Sequence, residues 1–154
     1  PDCAMQDAPK LDILLVVGAN PIVSHLSSRP LLNWLRKLAH ERVALGGICT
    51  GAYALADAGL MDDYQASIHW ENMLAAKEAF PQVQFNTTIY TIDRDRYTCS
   101  GGVASLDLCI NIIRLHHDRK LSEAIAEQFT LSVLRSQDEP QHIPLPQQQK
   151  MPDQ

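Results

Sequence analysis

Apolar residues along this chain fall into two spacings, one of short unbroken runs and one of helical stripes. Leu11-Asp12-Ile13-Leu14-Leu15-Val16-Val17 is a nearly continuous leucine and β-branched run closed by Gly18, the pattern of a parallel strand buried on both faces. A loop with Asn20, Pro21 and several serines follows. From Pro30, the residues Leu31, Trp34, Leu35 and Leu38 recur at helical spacing, with Ser28 placed to cap and Pro30 suited to a first turn. Val43 to Cys49 is again short and apolar, so strand, helix and strand predict a crossover unit with parallel strands. The fold class is therefore α/β.

The pattern continues in the same style. Ala52, Leu55, Ala56 and Gly59 predict a short helix of small residues over 50–60, stopping at Gly59. Gln65 to His69 reads as a brief strand, and Trp70 to Phe80 as an amphipathic helix closed by Pro81. Val83 to Ile92 and Arg96 to Cys99, separated by Asp93-Arg94-Asp95, read as a hairpin or as two sheet segments, with the alternating charges at a solvated tip. Ser100-Gly101-Gly102 turns the chain into a helix over 103–116 carrying Leu106, Ile110 and Ile113 on one face, and a last helix is expected over about 121–134. Beyond Arg135 the composition shifts to Gln, Pro and acidic residues, too polar to bury a core, so 1–136 is expected as the domain and 137–154 as a linker.

Bulk properties narrow the function classes. The chain has 154 residues, with 13 Lys+Arg against 18 Asp+Glu and a net charge of −5, the wrong sign for a surface that grips phosphates by counterion release. Strong nucleic-acid binding by these residues alone is not expected. Cys3, Cys49, Cys99 and Cys109 show neither CxxC pairing nor metal-ligand spacing, which argues for a reduced, cytoplasmic setting with no metal and no cofactor. No apolar run approaches the length of a membrane span, and no membrane partner is expected.

The candidate chemistry centres on Gly46-Gly47-Ile48-Cys49-Thr50-Gly51. A residue between a buried strand and the first turn of a helix is held with its side chain presented, as in nucleophile elbows. The helix N-terminus there favours a thiolate and predicts a lowered Cys49 pKa. His69 ends the next strand, and the carboxyl ends of parallel strands share one crevice, so a Cys/His pair is one reading and a packed thiol beside a satisfied histidine the other. Trp70 and Glu71 beside His69 offer an indole face and a carboxylate to a cation. Asp107, on an otherwise apolar helix, is expected to serve the structure.

Three blocks carry a resemblance: Cys49 to Asp62 (CTGAYALADAGLMD), Ala66 to Glu71 (ASIHWE), and Tyr97 to Leu108 (YTCSGGVASLDL). In this order they resemble the ThiJ/PfpI-like, class I glutamine-amidotransferase-like domain at the N-terminus of AraC-family transcriptional regulators. The stretch Gln141-His142-Ile143-Pro144-Leu145 is further similar to regulators that sense arginine or quaternary amines. The resemblance implies a flavodoxin-like three-layer α/β/α sandwich with a mainly parallel sheet. It also implies a small-molecule effector site formed by Gly18, Ala19, Cys49, Thr50, His69, Trp70 and Glu71, homodimerisation, and DNA contact only through a helix-turn-helix module outside this chain. The amidotransferase triad of such regulators is generally incomplete, so Cys49 is expected to be a pocket residue; the rival is a cysteine-dependent amidase or hydrolase. Two departures stand out. Family domains open with strands that precede anything in this sequence, so a fragment, or a sheet completed by another chain, is expected. Where relatives often have Gly-Gly after the first strand, this chain has Gly18-Ala19, and Ala19 does not take positive φ freely, which weakens the hydrolase reading.

Overall fold

The computed structural model of the chain describes residues 2–143. The first strand, β1 (Ile13–Val17), leads through a 3-10 turn at Ser24–Ser27 into α1 (Arg29–His40) and back to β2 (Ala44–Ile48). The two strands pair in parallel from Ile13↔Ala44 to Val17↔Ile48, which is the expected crossover unit. Next come α2 (Gly51–Asp57), β3 (Gln65–Ser67), a 3-10 turn at Trp70–Asn72, α3 (Met73–Ala79) and β4 (Gln84–Asn86). The chain then forms β5 (Tyr90–Asp93), β6 (Arg96–Cys99), α4 (Ala104–His116) and α5 (Arg119–Gln128).

The main sheet has the order β1-β2-β6-β5, with the first three parallel and β5 antiparallel to β6. Alternation along β1 shows why both of its faces had to be apolar. Leu14 and Val16 join the core that holds Leu35, Leu45 and Leu55, whereas Ile13 and Leu15 face a second core around Tyr97, Leu108 and Ile112. Helices α1 and α2 supply the first layer and α4 the second. The sheet is thus covered on both faces, as strands with period-2 side chains and no polar face require.

Several elements differ from the sequence expectation, each for a local reason. Ser28 holds the N-cap position of α1 but makes no side-chain cap bond, the first turn resting on Pro30. The expected helix over 70–80 opens as a 3-10 turn and becomes α-helical only at Met73. The run 83–92 splits: β4 pairs in parallel with β3 as a separate two-stranded sheet, and β5 makes the hairpin with β6. The hairpin tip is not simply solvated. Arg96 is buried, its Nε donating to the Leu60 carbonyl at 2.9 Å, and the Arg94 guanidinium lies 3.6 Å above the Tyr64 ring. The last helix starts earlier than expected, because Asp118 accepts from the Leu121 amide at 2.7 Å. It also ends early, at Gln128, where Thr130 adopts a φ of 54° and the Leu131 amide wraps back to the Ala126 carbonyl.

After α5 the chain returns to the body. Asp107 on α4 is buried and receives Arg135 through Nε at 3.0 Å, Nη2 at 2.5 Å and the backbone N–H at 3.2 Å. Of the stretch expected as linker from residue 137, residues 139–143 lie along the domain instead. Glu139 accepts from the Ile89 amide at 2.8 Å, Gln141 donates to the Thr87 carbonyl at 2.7 Å, and Gln141 and Ile143 are buried. Backbone hydrogen bonds, one amide side chain and a single buried apolar residue, Ile143, hold this strap, so apolar content was a poor guide to it. The remainder of the expected linker, 144–154, lies outside the described residues.

Candidate functional site

The carboxyl ends of β1, β2, β3 and β6 converge at one end of the molecule, where the Gly18–Asn20 loop, the Cys49 elbow, the His69–Asn72 turn and the Ser100–Gly102 turn meet. Cys49 has a φ of 60°, the strained left-handed backbone of an elbow between strand and helix. Its N–H donates to the Cys99 carbonyl at 3.0 Å, continuing the β2–β6 ladder through the bend. Two close approaches fix the turn. A β-carbon at Gly51 would collide with the Val16 carbonyl oxygen, and one at Gly101 (φ 91°) would lie 2.7 Å from the Cys49 β-carbon and 3.2 Å from its sulfur.

The thiol does not behave as the sequence predicts. Its pKa is raised, chiefly because burial disfavours the charged form; the Thr50 backbone N–H pulls it down, while Cys99 and the Glu71 carboxylate push it further up. The helix N-terminus is present, but desolvation and negative neighbours outweigh it.

His69, Trp70 and Glu71 follow β3. The His69 and Trp70 rings lie 5.7 Å apart, and His69 Nδ1 stands 3.8 Å from Glu71 Oε2, within ion-pair range but beyond a hydrogen bond. Nδ1 is buried and has no hydrogen-bond partner. Glu71 Oε2 accepts from Asn20 Nδ2, and Asn20 Oδ1 in turn accepts from Asn72 Nδ2 at 3.2 Å, so the loop after β1 is tied to the turn after β3.

A cleft of about 240 Å3 opens here. His69 and Trp70 form one wall, Gly101, Gly102 and Val103 at the start of α4 another, and Arg135, Gln141 and His142 a third. Cys49 sits behind Gly101 and does not line the cleft. Glu71 touches the cleft only through His69. Gly18, Ala19 and Thr50 form the back of the elbow: the Gly18 amide donates to Ile48, and the fully buried Thr50 donates through Oγ1 to the Ala19 carbonyl at 2.7 Å. Sequence reasoning missed Gln141, His142, Arg135 and Asn20 as neighbours of this site. A signal existed for one of them, since Asp107 on an apolar helix demands a cation somewhere. Among the described residues no His/Cys/Asp/Glu cluster could hold a metal ion, and no helix is long and apolar enough to cross a membrane.

Arranged this way, the cleft can hold a small molecule between an indole face, a helix N-terminus and an amide side chain. No protein-family model matches the chain. Over 145 residues it is 40% identical to the HTH-type transcriptional regulator GbdR of Pseudomonas aeruginosa, covering 94% of this chain and 39% of that protein. It superposes on the crystal structure of an AraC family transcriptional regulator from Pseudomonas putida with a TM-score of 0.74 at 30% identity, over 82% of this chain and 68% of that one. A ThiJ/PfpI family protein from Pseudomonas syringae matches with a TM-score of 0.74 at 21% identity, over 84% of this chain and 53% of that one, a likeness of fold. The chain thus spans about two fifths of the length of GbdR.

Proposed function

Because the chain belongs to the AraC family of transcriptional regulators and has their ThiJ/PfpI-like, flavodoxin-type α/β fold, we propose that it is the effector-sensing and dimerising part of such a regulator. A small metabolite, an amino acid or a quaternary amine, occupies the cleft between Trp70, His69 and the start of α4, with Cys49 behind it. DNA contact belongs to a helix-turn-helix module beyond these residues, in keeping with the net charge of −5. Ligand binding favours one arrangement of two copies over another and thereby alters how the attached modules meet DNA.

The observation that carries this reading is the cleft itself. It lies where ligands bind in open α/β sheets, at the carboxyl ends of the strands, and its walls come from four separate stretches of chain. The rival reading, a cysteine-dependent amidase, asks for a thiolate facing substrate, whereas burial holds Cys49 toward its neutral form behind Gly101.

A thermal-shift screen of amino acids, betaines and related amines against this chain tests the proposal. A ligand that binds only the folded state raises the melting temperature, by free energy of about 2.7 kcal/mol at a hundredfold excess over Kd. The shift is expected to vanish in Trp70→Ala, with light scattering reporting the dimer in parallel. A hit whose shift is unchanged in Trp70→Ala removes this cleft as the effector site.

A further inference from the structure

Gln141 is 8% exposed, and its Nε2 donates to two backbone carbonyls, Ile68 at 2.9 Å and Thr88 at 3.1 Å. The side-chain amide therefore has a single acceptable orientation, because flipping it would set oxygen against both carbonyls. In that orientation Oε1 is buried and has no hydrogen-bond partner, although Gln141 lines the cleft. An acceptor held in place by its own donor bonds, closed to water and left without a proton donor, is an unusual thing to retain in a folded protein. Its neighbours define what would complete it. Trp70 and, through His69, Glu71 favour positive charge on one side. The opposite wall is the N-terminus of the 13-residue helix α4; the Ala104, Ser105 and Leu106 amides already donate to the Gly101, Gly102 and Val103 carbonyls, so what this end offers a carboxylate is its partial positive charge. Arg135, the arginine that lines the cleft, is already committed to Asp107.

We infer that Gln141 selects the effector: its Oε1 accepts an N–H from the ammonium group of a small amino carboxylate whose carboxylate rests on the start of α4. This rests on the reading of the cleft as the effector site and narrows its ligand class to molecules that keep at least one N–H, against fully quaternary amines. Oε1 is closed to solvent, so a ligand reaches it only as the strap 139–143 eases outward. Binding is therefore coupled to the position of that strap, which the Ile89 amide reports through its bond to the Glu139 carbonyl.

Calorimetric titration of the full chain with glycine, N-methylglycine, N,N-dimethylglycine and N,N,N-trimethylglycine holds carboxylate and positive charge constant while the N–H donors are removed one by one. The expected result is a weakening of about tenfold or more at the last methylation, the loss of one charge-assisted hydrogen bond. In Gln141→Met, which keeps the length without donor or acceptor, that last step disappears. Hydrogen exchange at the Ile89 amide changes when N,N-dimethylglycine is added. Equal or tighter binding of the trimethyl compound overturns the inference in the wild-type chain alone, whether or not Gln141→Met folds. So does persistence of the step in Gln141→Met, or unchanged exchange at Ile89. Failure of all four compounds to bind also overturns it, while a Trp70-dependent shift with some other metabolite leaves the effector cleft standing.

Discussion

Cys49 brings two local effects into competition, a helix N-terminus that favours thiolate and an enclosure that opposes it. Enclosure prevails because Gly101 packs directly on the sulfur side of the residue, and the Glu71 carboxylate adds repulsion. Alkylation by iodoacetamide at Cys49, followed across pH by peptide mass spectrometry, is therefore expected to show an apparent pKa above the free-cysteine value of about 8.5. A value well below it would restore the enzyme reading. The same shift has a consequence for stability. A thiol whose folded pKa exceeds its unfolded one stabilises the native state fully below the unfolded value and loses that contribution as pH rises through the folded one. Between pH 8 and 10 the urea midpoint should accordingly fall less steeply in Cys49→Ala than in the parent chain. The sequence showed the elbow plainly, through a strand, a cysteine and small residues. It could not show the sign of the pKa shift, because Gly101 and Glu71 reach Cys49 only through the fold.

Among elements, α4 depends on a contact supplied from beyond α5. Asp107 is one turn into α4, within an apolar helix, and is 3% exposed at its side chain, while Arg135 at 34% covers it with a two-nitrogen grip. Removing the guanidinium leaves the buried carboxylate with the residue-135 backbone N–H on Oδ1 but no cation, where loss of one partner of a well-enclosed pair costs about 3–5 kcal/mol. Arg135→Ala is expected near the lower end of that range, since half of the pair meets solvent, and Asp107→Asn/Arg135→Ala should recover part of the loss. Urea unfolding of the two variants checks this; a cost under about 0.5 kcal/mol for Arg135→Ala would mean that water already serves the carboxylate. The regular elements were legible because burial imposes periods: β1 alternates between two cores, and α1 turns Leu32, Leu35 and Leu38 inward. Residues 131–134, expected as helix, escaped that logic. Their sequence still carries apolar residues, but the Leu131 amide closes the helix onto Ala126, and a terminal hydrogen bond leaves no periodic trace.

For the molecule as a whole, the chief question is how the cleft communicates with whatever follows residue 143. The strap 139–143 walls the cleft through Gln141 and His142, and it is held by a few specific bonds together with the buried Ile143 side chain: Ile89 N–H to Glu139, Gln141 N–H to Thr87, and the Gln141 amide to Ile68 and Thr88. This is also why it read as linker, since a segment rich in Gln, Pro and Asp/Glu gives no hydrophobic signal, and its partners at 68, 87, 88 and 89 are distant in sequence. Elements held by few contacts come from the low-stability end of a fold and respond most to a ligand. Truncation after Asp138 removes these bonds and leaves the Ile89 amide without its acceptor. Counting only the two backbone bonds, at roughly 1 kcal/mol each, a loss of at least about 2 kcal/mol, or at least about 4 °C in melting temperature, is expected for a domain of this size. Calorimetry of that truncation should therefore show a lower but still cooperative transition, with the α/β core intact by circular dichroism. A melting temperature within about 1 °C of the parent would mean that the strap is not docked in solution, and the link between cleft and chain exit would go with it.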